Sequence, residues 1–204
     1  MPVPAWFAET LERELQPWLS LSSDQVTQLY RHYELLESWN KRMNLTRVKP
    51  GAEMVVRHYC ESLFFGHHAP STTCSTTIVD LGSGAGFPGV PVAILKPEWR
   101  ITLVESNQRK AVFLREASRE LGNVIVLPKR AEKVTERFDW AVARAVEPSD
   151  VLANIPRLAD GVGLMLGESA FEHKPKTDIA WSDPVRLPWG DRKLCVYGVS
   201  RGTG

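Results

Sequence analysis

Hydrophobic and polar residues follow two different spacings along the chain, and the first spacing is helical. Apolar residues recur every three or four positions near the start, which predicts amphipathic helices over residues 6–19 and 23–40. Ser22, with Gln25 three positions later, matches a capping box at the start of the second helix. A third helix is predicted over residues 52–66, so the chain opens with a helical segment.

From Thr76 onward the spacing changes to short β-rich runs separated by helical stretches. This alternation is typical of βαβ units and predicts an α/β fold with a doubly wound, mostly parallel sheet. Helices are predicted to begin near Pro88, Asn107 and Ser149. The predicted strands cover residues 78–81, 100–105, 123–127, 138–143 and 162–166.

The end of the chain predicts a different element, an antiparallel hairpin. Residues 184–189 and 193–201 have the composition of strands, and residues 190–192 form a short turn between them. Such a hairpin would close the edge of the sheet. We therefore expect a helical extension over residues 1–70, packed on a core domain over residues 71–204.

Composition places the chain among soluble globular proteins. Of its 204 residues 43% are hydrophobic and 24% are charged, both near the average for such proteins. No run approaches the roughly 18 apolar residues of a membrane span, and residues 1–10 lack the features of a secretory signal. We therefore expect a cytoplasmic protein with no membrane partner.

Charge is unevenly distributed although the net charge is only +1. Residues 1–40 carry six acidic and two basic side chains, which leaves a basic surplus in the rest of the chain. The low net charge gives no bulk argument for a polyanionic partner. The predicted helix after residue 107 carries several basic residues. We interpret them by default as a solvated helix face, with contact to RNA phosphates as the second interpretation. These basic residues are Arg109, Lys110, Arg115 and Arg119.

Cysteine and histidine spacing does not indicate a metal site. The three cysteines are Cys60, Cys74 and Cys195. They are widely separated, and we expect reduced thiols. His67 and His68, with His58 nearby, fit no structural zinc spacing, so we expect no metal. We interpret His58 as a buried, hydrogen-bonded residue that joins the N-terminal helices to the sheet.

Candidate chemistry is concentrated in residues 78–89, where an apolar strand ends in an acid and glycines then alternate with small residues before Pro88. Glycines permit positive φ and let a ligand lie against bare backbone, and the first N–H groups of a helix point toward it. Glu105 ends the next strand, 23 residues after Gly82. A carboxylate there is placed to accept hydrogen bonds from ribose hydroxyls, so the pair predicts a nucleotide-like ligand.

Two classes of ligand fit this turn. Residues 84–89 match the dinucleotide fingerprint G-x-G-x-x-G, but that fingerprint should start directly after the strand. Asp80 lies two positions before Gly82, and glycines then occupy every second position. This pattern is typical of class I methyltransferases, so we favour a methyltransferase over a dehydrogenase. In such enzymes the cofactor is S-adenosylmethionine, and Asp80 would hold its methionine end through water or backbone.

Several segments, the turn among them, match one known family in the same order. They are Leu36, Trp39-Asn40, Asn44-Leu45-Thr46, His58, Glu61-Ser62, residues 80–89, residues 103–106, Arg130-Ala131-Glu132 and Arg144-Ala145. The sequence thereby resembles the glucose-inhibited division protein B family, also called RsmG, of bacterial ribosomal RNA guanine-N7 methyltransferases. The resemblance implies a Rossmann-like class I methyltransferase fold, with a seven-stranded sheet that includes the C-terminal hairpin.

The resemblance implies S-adenosylmethionine as the cofactor. By it, Gly82 and Phe87 line the methionine side and Glu105 holds the ribose. Ala131 and Glu132 would flank the adenine. The full set of candidate cofactor-binding residues is Asp80, Gly82, Gly84, Gly86, Phe87, Glu105, Ala131, Glu132 and Arg144.

The resemblance also implies 16S ribosomal RNA, or a small ribosomal subunit precursor, as the substrate. The site of methylation would be N7 of one guanine, guanine 527 in the family. Arg144 would lie beside the transferred methyl and the incoming base, and Arg130 would face RNA. Guanine N7 carries a lone pair and no proton, so no general base is needed. Arg144 is therefore the predicted catalytic residue, acting by positioning.

Two positions depart from the family pattern. Glu61 stands where aspartate is usual, which keeps the charge, and Leu166 stands where a lysine usually precedes Gly167. That lysine is expected to help hold RNA. Lys174 and Lys176 are candidates to replace it, although a lysine in a loop more often carries only a solvated charge. Because of Leu166, methylation of another RNA or of a small molecule stays open. A non-catalytic RNA-binding or ribosome-assembly module is a second alternative, which the intact glycines disfavour.

Overall fold

The computed structural model describes residues 2–70, 75–174, 177–190 and 192–201. The expectations for Cys74 and Lys176 fall outside these residues, whereas Cys60 and Cys195 are buried free thiols. None of the helices in these ranges combines the length and the apolar character needed to cross a membrane.

Two helices open the chain as predicted, with α1 at Ala5–Leu15 and α2 at Ser23–Met43, although the first ends four residues before the predicted residue 19. The capping box of α2 is present. Ser22 Oγ accepts a hydrogen bond from the Gln25 N–H at 3.2 Å, and Gln25 Oε1 accepts one from the Ser22 N–H at 2.9 Å. Local side-chain chemistry therefore fixes where α2 begins.

The third predicted helix is a continuous helical segment with three parts. The short helix α3 (Ala52–Met54) leads into a π-helical stretch (Val55–Cys60), which continues as α4 (Glu61–His68). π-helical stretches inside helices are rare and occur frequently at functional sites. His58, which matters for the site described below, lies in this stretch.

One sheet of eight strands forms the centre of the protein, in the order β3-β2-β1-β4-β5-β8-β6 with β7 paired to β8. The strands are β1 (Thr77–Leu81), β2 (Arg100–Val104), β3 (Val124–Leu127), β4 (Phe138–Arg144), β5 (Ala159–Gly167), β6 (Ile179–Trp181), β7 (Val185–Arg186) and β8 (Lys193–Ser200). The first five strands are parallel, and β8 runs antiparallel to β5. The predicted α/β class with a mostly parallel sheet is confirmed.

The expected hairpin is present as β7 and β8, although β7 is only two residues long. The described strands number eight instead of seven because β6 also pairs with β8. A strand of three residues is too short to show a readable alternation of apolar and polar side chains. The extra strand could therefore not be predicted from the sequence.

Helices cover both faces of the sheet. They are α5 (Gly89–Leu95), α6 (Gln108–Ala117), α7 (Pro148–Leu152), α8 (Ile155–Leu158) and α9 (Glu168–Glu172), with a 3-10 turn at Ala131–Lys133. Val90 of α5 belongs to the buried cluster that includes the N-terminal helices, whereas Val151 of α7 belongs to the cluster on the other face. The chain thus leaves β1 and β4 toward opposite faces. Doubly wound sheets bind ligands where the connections after two neighbouring strands lead to opposite faces of the sheet.

Candidate active site

The turn between β1 and α5 is built from glycines in left-handed conformations. Gly82, Gly84 and Gly86 have φ values of 71°, 57° and 89°. A Cβ atom on Gly86 would also lie 2.7 Å from Cγ2 of Val90. Conformation and space together exclude a side chain there, so the turn presents bare backbone at the carboxyl end of β1.

Asp80 anchors this turn from beneath. Its carboxyl group is fully buried, and Oδ2 accepts a hydrogen bond from the Gly89 N–H at 3.0 Å. Oδ1 has no hydrogen-bond partner among the described residues. Burial raises the pKa of Asp80 to about 7, although the bond from Gly89 opposes this shift. In this structure Asp80 therefore supports the backbone that would face a ligand.

Glu105 connects the turn to the next loop. It follows β2, and its Oε2 accepts a hydrogen bond from the Gly84 N–H at 3.0 Å. Its Oε1 accepts a second bond from the Asn107 N–H at 2.7 Å, just before α6 begins. One carboxylate thus holds both loops at the same edge of the sheet.

A cavity of about 340 Å³, which we call the sheet-edge cavity, opens beside these loops. Four of the residues predicted from the sequence line it, namely Gly82, Arg130, Ala131 and Glu132. Its volume lies in the range of roughly 300–1,000 Å³ that is usual for small-molecule sites. Apolar side chains of Val104 and Val151 contribute to its walls, so the cavity suits an aromatic base with polar groups attached.

Arg144 ends β4 and is held by residues of the π-helical stretch. Its Nη2 donates to the Arg57 carbonyl oxygen at 2.7 Å and to His58 Nδ1 at 2.9 Å. The same nitrogen lies 3.5 Å from Glu61 Oε2, and the guanidinium lies 5.9 Å from the centre of the Phe87 ring. Nη1 is buried without a hydrogen-bond partner among the described residues. Arg144 therefore keeps hydrogen-bonding capacity that no described residue uses.

His58 connects Arg144 to the N-terminal segment, as the sequence suggested. Because Arg144 donates to Nδ1, we assign the proton of the neutral ring to Nε2, which lies 2.6 Å from Thr46 Oγ1. The ring stacks on Phe87 with 4.6 Å between centres. Burial, reinforced by the Arg144 charge, lowers the pKa of His58 to about 3. The neutral ring can therefore keep accepting from Arg144.

Ala145 directs its two neighbours into different cavities. Its φ of 55° is left-handed, which is uncommon for a residue with a Cβ atom. Val146 lines the sheet-edge cavity, whereas Arg144 lines a second cavity of about 470 Å³. We call the second one the basic cavity. Its other basic residues are Arg47, Lys49, Arg57 and Lys193.

Lys193 is the site residue that sequence reasoning missed. It starts β8 and pairs with Gly167 of β5, next to Leu166 where a lysine was expected. Its Nζ lies 2.8 Å from Glu61 Oε1. Lys174, one of the suggested replacements, instead packs on Phe171 with Nζ 3.7 Å from the ring centre. The antiparallel register that brings Lys193 here is not visible in the sequence.

The predicted site residues thus fall into three groups. Asp80, Gly84, Gly86 and Glu105 build the turn and its supports, and the four residues named above line the sheet-edge cavity. Phe87 and Arg144 contact each other, and Arg144 lines the basic cavity. All three groups meet at the carboxyl edge of the parallel strands.

The sheet and its glycine turn define a class I methyltransferase that uses S-adenosylmethionine. Residues 25–170 match the model of the family described as rRNA small subunit methyltransferase G. The chain belongs to this family. Membership excludes the interpretation of residues 84–89 as the dinucleotide fingerprint of a dehydrogenase. It confirms the resemblance noted in the sequence.

Relatives and a solved structure agree with this placement. The chain is 46% identical to ribosomal RNA small subunit methyltransferase G of Xanthomonas euvesicatoria pv. vesicatoria, covering 91% of this chain and 92% of the relative. It is 42% identical to the protein of that name from Stenotrophomonas maltophilia, covering 91% and 88%. Fibrillarin of Aeropyrum pernix, solved with natively bound S-adenosyl-L-methionine, has the same fold at a TM-score of 0.53 and 18% identity, over 69% of this chain and 74% of fibrillarin.

Proposed function

We propose that this protein transfers the methyl group of S-adenosylmethionine to N7 of a single guanine in 16S ribosomal RNA. The position would be guanine 527, by analogy with the family. The observation that carries the proposal is the place of Arg144, which is one of five basic residues lining the basic cavity and lies two residues before Val146 of the nucleoside-sized cavity. A methyl donor and a polyanion would meet at this residue.

The sheet-edge cavity fits the cofactor. We assign the adenine to the walls formed by Ala131 and Glu132, and the ribose to Glu105. The methionine side is assigned to Gly82 and, near Arg144, to Phe87. When bound, the cofactor supplies an electrophilic methyl group on its sulfonium sulfur. Asp80, fully buried, supports this arrangement through Gly89 and has no direct contact in the proposal.

Arg144 is assigned to the incoming guanine. Since N7 already carries a lone pair, alignment of the base with the methyl group is the main task of the site. A guanidinium can donate to the O6 and N7 edge of guanine or to a nearby phosphate, and bonding through O6 leaves N7 free to react. We assign the guanidinium of Arg144, whose Nη1 has no partner in the described residues, to the base. Arg130, at the sheet-edge cavity, is assigned to RNA.

The test is methyl transfer to RNA from a strain that lacks the gene. We expect labelled methyl groups at one guanine N7 of 16S RNA, and we expect Arg144→Ala to abolish transfer while cofactor affinity changes by less than about tenfold, roughly 1.4 kcal/mol. Arg31→Ala is the matched control, because this exposed arginine of α2 pairs with Glu120 and lines neither cavity. Transfer to another base, or to a small molecule only, would contradict the proposal.

The physical form of the substrate and the place of the reaction follow from the same proposal. We propose that the partner is 16S RNA or a small ribosomal subunit precursor. Assays with free RNA and with subunits from the deletion strain, run side by side, distinguish the two. We place the protein in the cytoplasm, where bacterial ribosomal subunits are assembled.

A further inference from the structure

Positive charge is concentrated at one place in a chain of almost balanced charge. Five of the seven residues that line the basic cavity are basic, whereas the whole chain has a net charge of only +1. Two carboxylates lie among them. Glu53 is 3.3 Å from Arg57, and Glu61 contacts both Arg144 and Lys193. The cavity therefore keeps an excess of positive charge.

The cations at the centre of this cavity are fixed rather than solvated. Glu61 exposes 4% of its side chain, Arg144 16% and Lys193 26%. Glu61 bonds Lys193 through Oε1 and faces Arg144 through Oε2, so one buried carboxylate orients two cations toward the same space. A charge that served only solubility would extend into water and would not need such a support.

The cations come from separate parts of the chain. Arg47 and Lys49 lie between α2 and α3 and have exposed side chains, and neither forms an ion pair within the described ranges. Arg57 comes from the π-helical stretch, Arg144 from β4 and Lys193 from β8. Bringing like charges together from several elements costs free energy, which a bound anion would offset.

We propose that the basic cavity binds a backbone phosphate of the RNA strand beside the target guanine, and that Lys193 supplies its central ammonium group. This inference rests on the proposed function. A phosphate suits the cavity because arginine forks and a lysine point charge both bind phosphate oxygens. Leu166 cannot bind RNA as the expected lysine would. Lys193 does so instead, from the neighbouring strand β8, where it pairs with Gly167.

The test is RNA binding as a function of salt concentration. Lys193→Ala should weaken binding of unmodified 16S RNA about tenfold, and should reduce the slope of log Kd against log salt by about 0.7–1, the loss of one phosphate contact. Lys193→Arg should keep the slope. The double variant Arg47→Ala, Lys49→Ala removes exposed charges without disturbing buried ones. Its slope should also be smaller than that of the wild type, by more than in Lys193→Ala. Arg31→Ala should leave binding unchanged.

The outcomes separate this inference from the proposed function. Unchanged salt slopes in the Lys193→Ala and Arg47→Ala, Lys49→Ala proteins, with guanine methylation retained, would overturn the phosphate site alone. Loss of S-adenosylmethionine binding in Lys193→Ala, measured by calorimetry, would assign the cavity to the cofactor carboxylate and also overturn it. A wild-type protein that neither binds nor methylates 16S RNA would overturn both.

Discussion

Burial shifts the pKa values of individual residues at the site more than their neighbouring groups do. Asp80 and His58 are of opposite charge type, yet burial moves both pKa values toward the neutral form, to about 7 and about 3 respectively. Arg144, close to both, keeps its charge because Glu61 stands beside it. Arg144 thus lies near a neutral His58 and near an Asp80 that is about half protonated at pH 7.

Asp80 should make folding stability depend on pH. Its pKa in the folded protein, about 7, lies above the ordinary 3.8, so the folded state holds the proton more tightly. The stability associated with the protonated carboxyl is complete below about pH 4 and is lost as pH rises toward 7. The Asp80→Asn side chain cannot titrate. As pH rises across this range, the free energy of unfolding of this variant should therefore increase relative to that of the wild type by up to roughly 4 kcal/mol, at about 1.4 kcal/mol per pKa unit.

Urea unfolding of both proteins at pH 4.5 and pH 8 measures this effect, with the same buffer ions at similar ionic strength. Asparagine keeps an oxygen that accepts from the Gly89 N–H, so the hydrogen bond at the start of α5 is retained. If the stability difference between the two proteins were the same at both pH values, the carboxyl group would have an ordinary pKa and the burial argument would be wrong.

Among the elements, those with a local signal were predicted well. The helical spacing and the Ser22 capping box located α2, and the parallel strands follow from apolar runs between helices. Elements that depend on distant partners were not visible. β6 exists only through its pairing with β8, and Lys193 reaches the site only through the register of β8 on β5. Register is a tertiary property, because it depends on which side chains share a buried face.

The glycine turn is the element in which a substitution tests geometry most directly. Gly86→Ala would place Cβ 2.7 Å from Val90 Cγ2 and force alanine into a φ of 89°. We expect a loss of about 1–3 kcal/mol of stability. Gly122→Ala is the matched control, since nothing lies within 4 Å of its Cβ position. Urea midpoints for the two variants should differ clearly, and equal midpoints would show that the turn adapts without cost.

At the scale of the whole molecule, the N-terminal helices take part in both the core and the site. Phe7 of α1, Leu36 of α2 and Phe113 of α6 belong to the same buried cluster. His58, which lies before the proposed boundary at residue 70, holds Arg144 of the sheet. The sequence predicted the helices and the sheet separately. The packing of the helices on the sheet was expected, but the side chains that form the shared core could not be predicted, because hydrophobic spacing shows which face is buried and not what covers it.

This shared core makes a prediction about the proposed division into residues 1–70 and 71–204. The isolated C-terminal part would expose the face of α5 and α6 that α2 covers, and it would lose the buried side chains of Phe64 and Phe65. Burying a phenylalanine contributes about 1.5–3 kcal/mol, while a whole domain is stable by only about 5–15 kcal/mol. Residues 71–204 alone should therefore lack a cooperative thermal transition and should bind hydrophobic dyes, whereas the full chain should unfold in one step. A C-terminal fragment that melts cooperatively and binds S-adenosylmethionine would show that the helical extension is an addition to an independent domain and not part of its core.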